Sequence, residues 1–174
     1  MDLAFRWTRG VVAFLAVITV LVLPRVVAAA EPKTIYLAVK ASSWRDQPFD
    51  VAREARSRLE QGGFKVVLEE RAAHEAVVTI EWTEKPGGNF QDVSSNVLGT
   101  GTTITCRIEI TARSTGRSVA YDGLSAPTPT VIGDIRPDTA RDDLRDGAAH
   151  AMLKESPWLT LGATVAQELA VLAR

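Results

Sequence analysis

Hydrophobic and polar residues alternate along five segments of the chain, the pattern of β-strands with one buried face. The clearest segment is 103–111, where Ile104, Cys106, Ile108 and Ile110 alternate with threonine and charged residues. The other four segments are 34–40, 64–69, 76–83 and 117–122. Such alternation favours a sheet that has one face against a core and the other in water.

Apolar residues recur at helical spacing in three further segments, 51–59, 140–152 and 161–172. The first lies between the first two strands, which predicts a right-handed crossover and parallel pairing. A turn at Ser114-Thr115-Gly116 predicts that the last two strands pair antiparallel. The predicted fold is α/β (α+β): a two-layer sandwich of a mixed sheet of about five strands with helices on one face.

The N-terminal segment has the three parts of a secretory signal peptide. Arg6 and Arg9 precede an uncharged run from Val11 to Leu23, Pro24 ends that run, and small residues precede a cleavage site between Ala30 and Glu31. A retained membrane anchor is the alternative, but a spanning helix needs about 20 apolar residues and this run is shorter. We therefore predict a signal peptide over 1–30, a single domain over 31–174, and export to the periplasm or beyond, with no stable membrane span after cleavage.

Net charge and cysteine content limit the partners and the chemistry. Residues 1–30 hold three of the 20 basic and one of the 21 acidic residues, so 31–174 has a formal net charge of −3. That balance argues against nucleic acid or anionic lipid as a partner, because both favour a basic surface. Cys106 is the only cysteine, which excludes an intrachain disulfide, and its place among isoleucines predicts a small buried hydrophobe.

The acidic cluster in the C-terminal part does not have the pattern of a metal site. Its members are Asp134, Asp138, Asp142, Asp143 and Asp146. A calcium loop starting at Asp142 would need an oxygen ligand where Leu144 stands, whereas Thr139 and Asp142 fit a helix capping box. A helix would also stack Asp142, Asp146 and His150 on one face, but no second ligand-bearing element is visible. We predict no metal.

Other catalytic motifs are missing as well. His74-Glu75 is followed by the strand Ala76-Val77-Val78, so the second histidine of a zinc-protease helix is absent. The sequence contains neither a Gly-x-Ser-x-Gly elbow nor a phosphate-binding loop. We therefore predict no catalytic residue and no cofactor.

Two features suggest binding. Residues 84–101 are rich in Gly, Ser and Asn and predict a loop longer than a hairpin needs, in which Phe90 and Leu98 could contact a partner. The polar face of the sheet, with Arg107 and Glu109, is the second candidate, since an uncovered sheet is a docking surface for another chain.

The order of an export signal, a strand–helix–strand unit, the strand "AVVTIEW", the hairpin "GTTITCRIEITARSTGRSVAYDG" and closing helices resembles small exported envelope domains of bacteria. It is similar to the amino-terminal domain type of the TolB translocation protein and to uncharacterised envelope lipoproteins. The chain differs from lipoproteins in having no cysteine at the cleavage site. The resemblance implies a non-catalytic domain that docks to other envelope components.

The leading hypothesis is thus a non-enzymatic exported domain that binds a protein or another envelope component. One alternative is a carrier of a small ligand or lipid, with a pocket between sheet and helices lined by Trp82 and Tyr121. Another is a small hydrolase built around an acid such as Asp122 or Asp142.

Overall fold

The computed structural model describes residues 32–91, 97–127 and 146–174, with only the backbone described at 89–91 and 97–99. The strands are β1 (Thr34–Ser42), β2 (Lys65–Val67), β3 (Ala76–Gln91), β4 (Val97–Ala112) and β5 (Ser118–Pro127). The helices are α1 (Val51–Gln61), α2 (Gly147–Met152) and α3 (Leu161–Leu172), the last preceded by a 3₁₀ turn at Trp158–Thr160. The predicted leader, its cleavage residues Ala30 and Glu31, and most of the acidic cluster lie outside these ranges, so those predictions stay predictions.

The five strands form one mixed, open sheet in the order β2-β1-β3-β4-β5. β1 pairs in parallel with β2 and with β3, whereas β4 pairs antiparallel with β3 and β5. The predicted α+β fold is confirmed, including the parallel crossover through α1 and the antiparallel hairpin at Gly116. In the described part of the chain, no helix has the length and apolar character needed to cross a bilayer.

The sheet buries the face that the alternation predicted. Cross-strand pairs on this inner face include Val78 opposite Ile110, Ile80 opposite Ile108 and Trp82 opposite Cys106, and all six side chains are buried. Apolar side chains from α1 and α3 complete the core: Val51, Ala55, Leu59, Leu161, Val165, Leu169 and Leu172. Cys106 is therefore a core residue, as predicted.

The prediction of a loop over 84–101 is wrong for the residues of this range that the structure describes, 84–91 and 97–101. β3 continues to Gln91 and β4 already begins at Val97, so the two strands form a hairpin that extends beyond their pairing with β1 and β5. The ladder accommodates Pro86, Gly87 and Gly88 through a register shift before Asn89. Proline and glycine are tolerated in strands at such bulges, which is why their presence did not end the strand.

Helices α1 and α3 meet at two glycines. A Cβ placed on Gly162 would lie 2.7 Å from the Gly62 Cα and 2.9 Å from the Arg58 carbonyl oxygen. Close by, the Arg58 guanidinium donates to the backbone carbonyls of Leu153 (3.0 Å) and Trp158 (2.6 Å). These hydrogen bonds tie α1 to the segment that joins α2 and α3. The short backbone approach thus sets how closely the helical layer packs.

Replacing Gly162 with alanine tests this contact. Alanine normally favours a helix by about 1 kcal/mol over glycine, but here its methyl group collides with backbone atoms. We expect Gly162→Ala to lower the free energy of unfolding by about 1–3 kcal/mol, measured by urea denaturation. The reverse change at an exposed position of the same helix, Ala166→Gly, is expected to cost only about 1 kcal/mol. A Gly162→Ala protein as stable as the wild type would contradict the close approach.

Candidate binding surface

The face of the sheet opposite the core is polar and accessible; we call it the outer face. In β3 and β4, even-numbered side chains point to the core and odd-numbered side chains point to the outer face. Its members keep contact with solvent: Thr79, Glu81, Thr83, Thr103, Thr105, Arg107, Glu109, Thr111 and Asp122. Both sheet residues predicted for binding, Arg107 and Glu109, lie on this face.

Arg107 is the centre of the charged groups on the outer face. Its Nε lies 2.7 Å from Asp122 Oδ1 on β5, and its Nη2 lies 3.3 Å from Glu109 Oε2 on β4. On the other side of β3, Lys40 pairs with Glu81 at 3.2 Å. Exposed pairs of this kind add about 0–1 kcal/mol to stability. They bring charged groups of both signs close together on the outer face.

A shallow depression adjoins Arg107 on the outer face. It has a volume of about 230 Å³ and is lined mainly by Glu81, Thr83, Thr105 and Leu124. Pockets for small ligands are usually about 300–1,000 Å³ and enclose most of the ligand. This depression is smaller and open, which suits a single side chain of a partner better than a free small molecule.

The two loop residues predicted for binding lie on the extended hairpin. The backbone of Phe90 pairs with that of Gly99, next to Leu98, beyond the last residues of β3 and β4 that pair with β1 and β5. The structure brings Arg107 and Glu109 together, and it places Phe90 and Leu98 farther along the same hairpin. A contact role for the Phe90 and Leu98 side chains stays a prediction.

Sequence reasoning missed a buried ionic cluster at the end of β1. The Glu84 side chain is fully buried, and its Oε2 accepts from Arg45 Nε (2.9 Å) and Ser43 Oγ (2.6 Å). Its Oε1 accepts from the Phe49 amide (3.0 Å) and from Trp82 Nε1 (3.1 Å). Four donors therefore satisfy one carboxylate, which stabilises a charge that burial alone would penalise.

Arg45 extends the cluster to the helical layer. Its Nη1 lies 3.0 Å from Oδ1 of Asp146, the residue that precedes α2. The cluster thus links the β1–α1 connection, the β3–β4 hairpin and the start of α2. The alternation along β3 could have indicated that Glu84 is buried. Glu84 continues the even-numbered inner-face positions occupied by Ala76, Val78, Ile80 and Trp82.

The protonation of Glu84 favours a structural role. Burial by itself would raise the pKa of this carboxyl, but hydrogen bonds from Arg45, Ser43, the Phe49 amide and Trp82 outweigh it and hold the pKa below its usual value. A general acid would need the opposite shift. Glu84 is therefore an ionised anchor for the β1–α1 connection.

Substituting Glu84 with glutamine tests the anchor. Because this removes one carboxylate partner of the buried Arg45 and leaves the pair with Asp146, and because it weakens the four hydrogen bonds that the carboxylate accepts, we expect the free energy of unfolding at pH 7 to fall by about 2–4 kcal/mol. Since the folded-state pKa lies below the unfolded one, the ionised carboxylate stabilises the wild type above about pH 4.3, and this contribution is lost as the pH falls further. The wild type should lose more stability between pH 5 and pH 3 than Glu84→Gln.

Denaturant melts at several pH values measure both effects. The matched control is Glu81→Gln, which removes a more exposed carboxylate three residues earlier on the same strand, on its outer face, and should cost less than about 1 kcal/mol. Equal costs for the two variants would mean that the cluster does not stabilise the fold.

The only cysteine does not provide a nucleophile. Burial raises the pKa of the Cys106 thiol to about 11, with a smaller opposing effect of Trp158. A reactive cysteine needs a low pKa and access to solvent, and Cys106 has neither. We therefore expect the thiol to be unreactive in the folded protein.

Thiol labelling checks this assignment. With a disulfide reagent at pH 8, we expect Cys106 to react at least about 100-fold more slowly in the folded protein than in denaturant, because labelling requires opening of the core. Labelling at the rate of the unfolded chain would show that the thiol is exposed.

The carrier alternative requires open space next to Trp82. Instead, the Trp82 ring stacks on Phe49 at 5.8 Å and meets the edge of Trp158 at 5.8 Å, and it is 1% exposed. The Tyr121 hydroxyl donates to Glu168 Oε1 on α3 at 2.8 Å. Burial is the main cause that raises the pKa of Tyr121 to about 12, and the nearby Glu168 carboxylate adds to it. Protein atoms thus occupy the positions where the predicted pocket would need a ligand.

Of the two acids considered for a hydrolase, Asp122 and Asp142, the structure describes only Asp122, and the surroundings of Asp122 do not support a catalytic role. Asp122 is exposed and paired with Arg107, and Asp142 lies outside the described residues. Within the described ranges, no group of three or more His, Cys, Asp or Glu side chains could hold a metal ion.

Comparison with known proteins finds similarity only at the level of solved structures. No family model and no curated protein matches the chain. The hypothetical protein CT253 from Chlamydia trachomatis is 11% identical over 79% of this chain and 95% of that one, with a TM-score of 0.43. Rare lipoprotein B from Shewanella oneidensis is 16% identical over 78% and 94%, with a TM-score of 0.38. Lipoprotein GNA1162 from Neisseria meningitidis is 13% identical over 59% and 88%, with a TM-score of 0.37.

These three structures are distant in identity and in TM-score, and they assign no function to the chain. Two of the three are lipoproteins. The likeness to TolB stays a prediction.

Proposed function

We propose that this chain is a non-enzymatic, exported envelope domain that binds another protein through the outer face of its sheet. The observation that carries the proposal is the group of paired charges formed by Arg107, Glu109 and Asp122, which lies on β4 and β5 on an accessible face of the sheet. A face with charges of both signs already oriented loses little side-chain entropy on binding. It also selects a partner by complementary charge, because mismatched charges are costly at an interface.

The size of the outer face is sufficient for a specific complex. Because β2 has only three residues, the face is formed mainly by the other four strands; at about 4.8 Å apart and over the nine or so residues that β4 shares with β5, they give an area on the order of 600 Å². A standard interface covers about 800 Å² on each partner. Binding would thus use most of the face, with Arg107 near its centre and the depression beside it receiving one side chain.

Site-specific photocross-linking in the source organism tests the proposal. A photoreactive phenylalanine analogue at Thr105 stands on the outer face beside Arg107, and the same analogue at Arg56 stands on the exposed side of α1. We expect a discrete cross-linked protein from position 105 and none from position 56. Arg107→Glu in the position-105 chain should lower the yield at least fivefold. The charge reversal replaces the cation with a third carboxylate beside Glu109 and Asp122, which removes the complementary charges of the face.

The matched control for the charge reversal is Arg53→Glu on α1, which changes net charge equally and should leave the yield from position 105 unchanged. Cross-linking that is equal at positions 105 and 56, or that does not respond to Arg107→Glu, would reject the outer face as the binding surface. Absence of any protein cross-link together with a small molecule that copurifies would instead favour the carrier alternative.

A further inference from the structure

One end of the sheet carries a row of basic residues that the proposed function does not use. Lys65, Lys33, Glu75, Arg113 and Arg117 follow one another across the five strands, and we call this row the basic rim. Backbone hydrogen bonds fix the order: Lys65 N to the Lys33 oxygen (3.0 Å) and Arg113 N to the Glu75 oxygen (3.0 Å). The Arg117 oxygen accepts from Ala112, the residue before Arg113, also at 3.0 Å.

The charges of the rim are not neutralised within the described chain. The side chains of Lys33, Lys65, Arg113 and Arg117 are exposed, and none is in an ion pair with a described residue. In contrast, the basic residues on the outer face and on α1 are mostly paired with acids. Glu75 is the one acid within the row, so the rim has a net charge of about +3 along some 20 Å, or four strand spacings.

The middle of the rim is concave. A depression of about 310 Å³ lies between Lys33, His74, Glu75 and Arg113, and its floor includes the apolar side chains of Ala112 and Leu169. The Arg113 Nη1 is 3.5 Å from the His74 carbonyl oxygen, which directs the guanidinium along the edge of the depression. Cations around a small apolar floor match the chemistry of a phospholipid headgroup, which joins an anionic phosphate to an apolar glycerol and acyl region.

We propose that the basic rim docks the domain on an anionic phospholipid surface. Each Lys or Arg near such a surface contributes about 1 kcal/mol, equivalent to roughly a fivefold gain in partition. This attraction decays over a Debye length of about 8–10 Å. Basic residues of the rim therefore contribute to binding of the lipid surface, whereas basic residues farther along the strands do not. The surface is distinct from the outer face, and its use does not depend on the proposed function.

Vesicle partitioning of the full chain, with its own N-terminal segment, tests the proposal. The two probes are vesicles of pure phosphatidylcholine and vesicles with about 30% phosphatidylglycerol, at low salt. The N-terminal segment also favours anionic vesicles through Arg6, Arg9 and Arg25, but it is identical in every variant, so the change in the ratio of the two partition coefficients between wild type and variant reports the rim. We expect the ratio to fall about 50-fold or more in Lys33→Gln/Lys65→Gln/Arg113→Gln/Arg117→Gln, because the four side chains contribute roughly fivefold each less the effect of Glu75.

The matched control removes four basic side chains elsewhere: Lys40→Gln/Arg53→Gln/Lys85→Gln/Lys154→Gln. All eight residues are exposed, so both variants should fold, and circular dichroism melts verify this. The control should keep a ratio within about threefold of the wild type. A ratio that falls less than about threefold in the rim variant, or an equal loss in both variants, would overturn the proposal and leave the rim to another occupant such as an acidic protein. Because the rim variant keeps Arg107, photocross-linking at position 105 should persist, so the two proposals fail separately.

Discussion

The structure depends on the burial of one face of the sheet and not the other. On the inner face, Ile80 and Ile108 are fully buried beneath the helices, whereas Glu81 and Arg107, paired directly beside them, keep contact with water. Strict alternation makes this arrangement self-consistent, because a slip of one residue would exchange the two sets. That register determines which charged residues of β3 and β4 face solvent and are accessible to a partner.

The close approach of α1 and α3 and the buried Glu84 cluster act on opposite ends of the same layer. At one end, glycines at 62 and 162 let the helix backbones touch, which a side chain would prevent. At the other end, the carboxylate of Glu84 collects donors from three separate segments of the chain. Hydrophobic burial is not directional, so these two contacts provide the directional constraints that fix how the helical layer lies on the sheet.

The strands, helices and inner face were predictable because each is a local pattern. Alternation at Ile104, Cys106, Ile108 and Ile110 requires no knowledge of distant residues, and Gly62-Gly63 marks the end of α1 in the same way. The extended hairpin was not predictable, because Pro86 and two glycines are local signals for a loop and only the partner strand shows that a bulge absorbs them. Arg45 was out of reach for a similar reason: nothing near it in sequence indicates a carboxylate 39 residues away.

The charged rim shows why net charge alone is a poor guide to partners. A formal charge of −1 for the chain suggests repulsion from an anionic surface, but a surface interacts with the residues within about a Debye length, not with the average. If the rim rests on lipid, the strands stand roughly upright, because the rim is formed by strand ends. The outer face would then point sideways, parallel to the membrane plane, where a second envelope protein can reach it. The 16-residue strands β3 and β4 would rise about 50 Å from the lipid, so the hairpin that carries Phe90 and Leu98 would be the part farthest from the membrane.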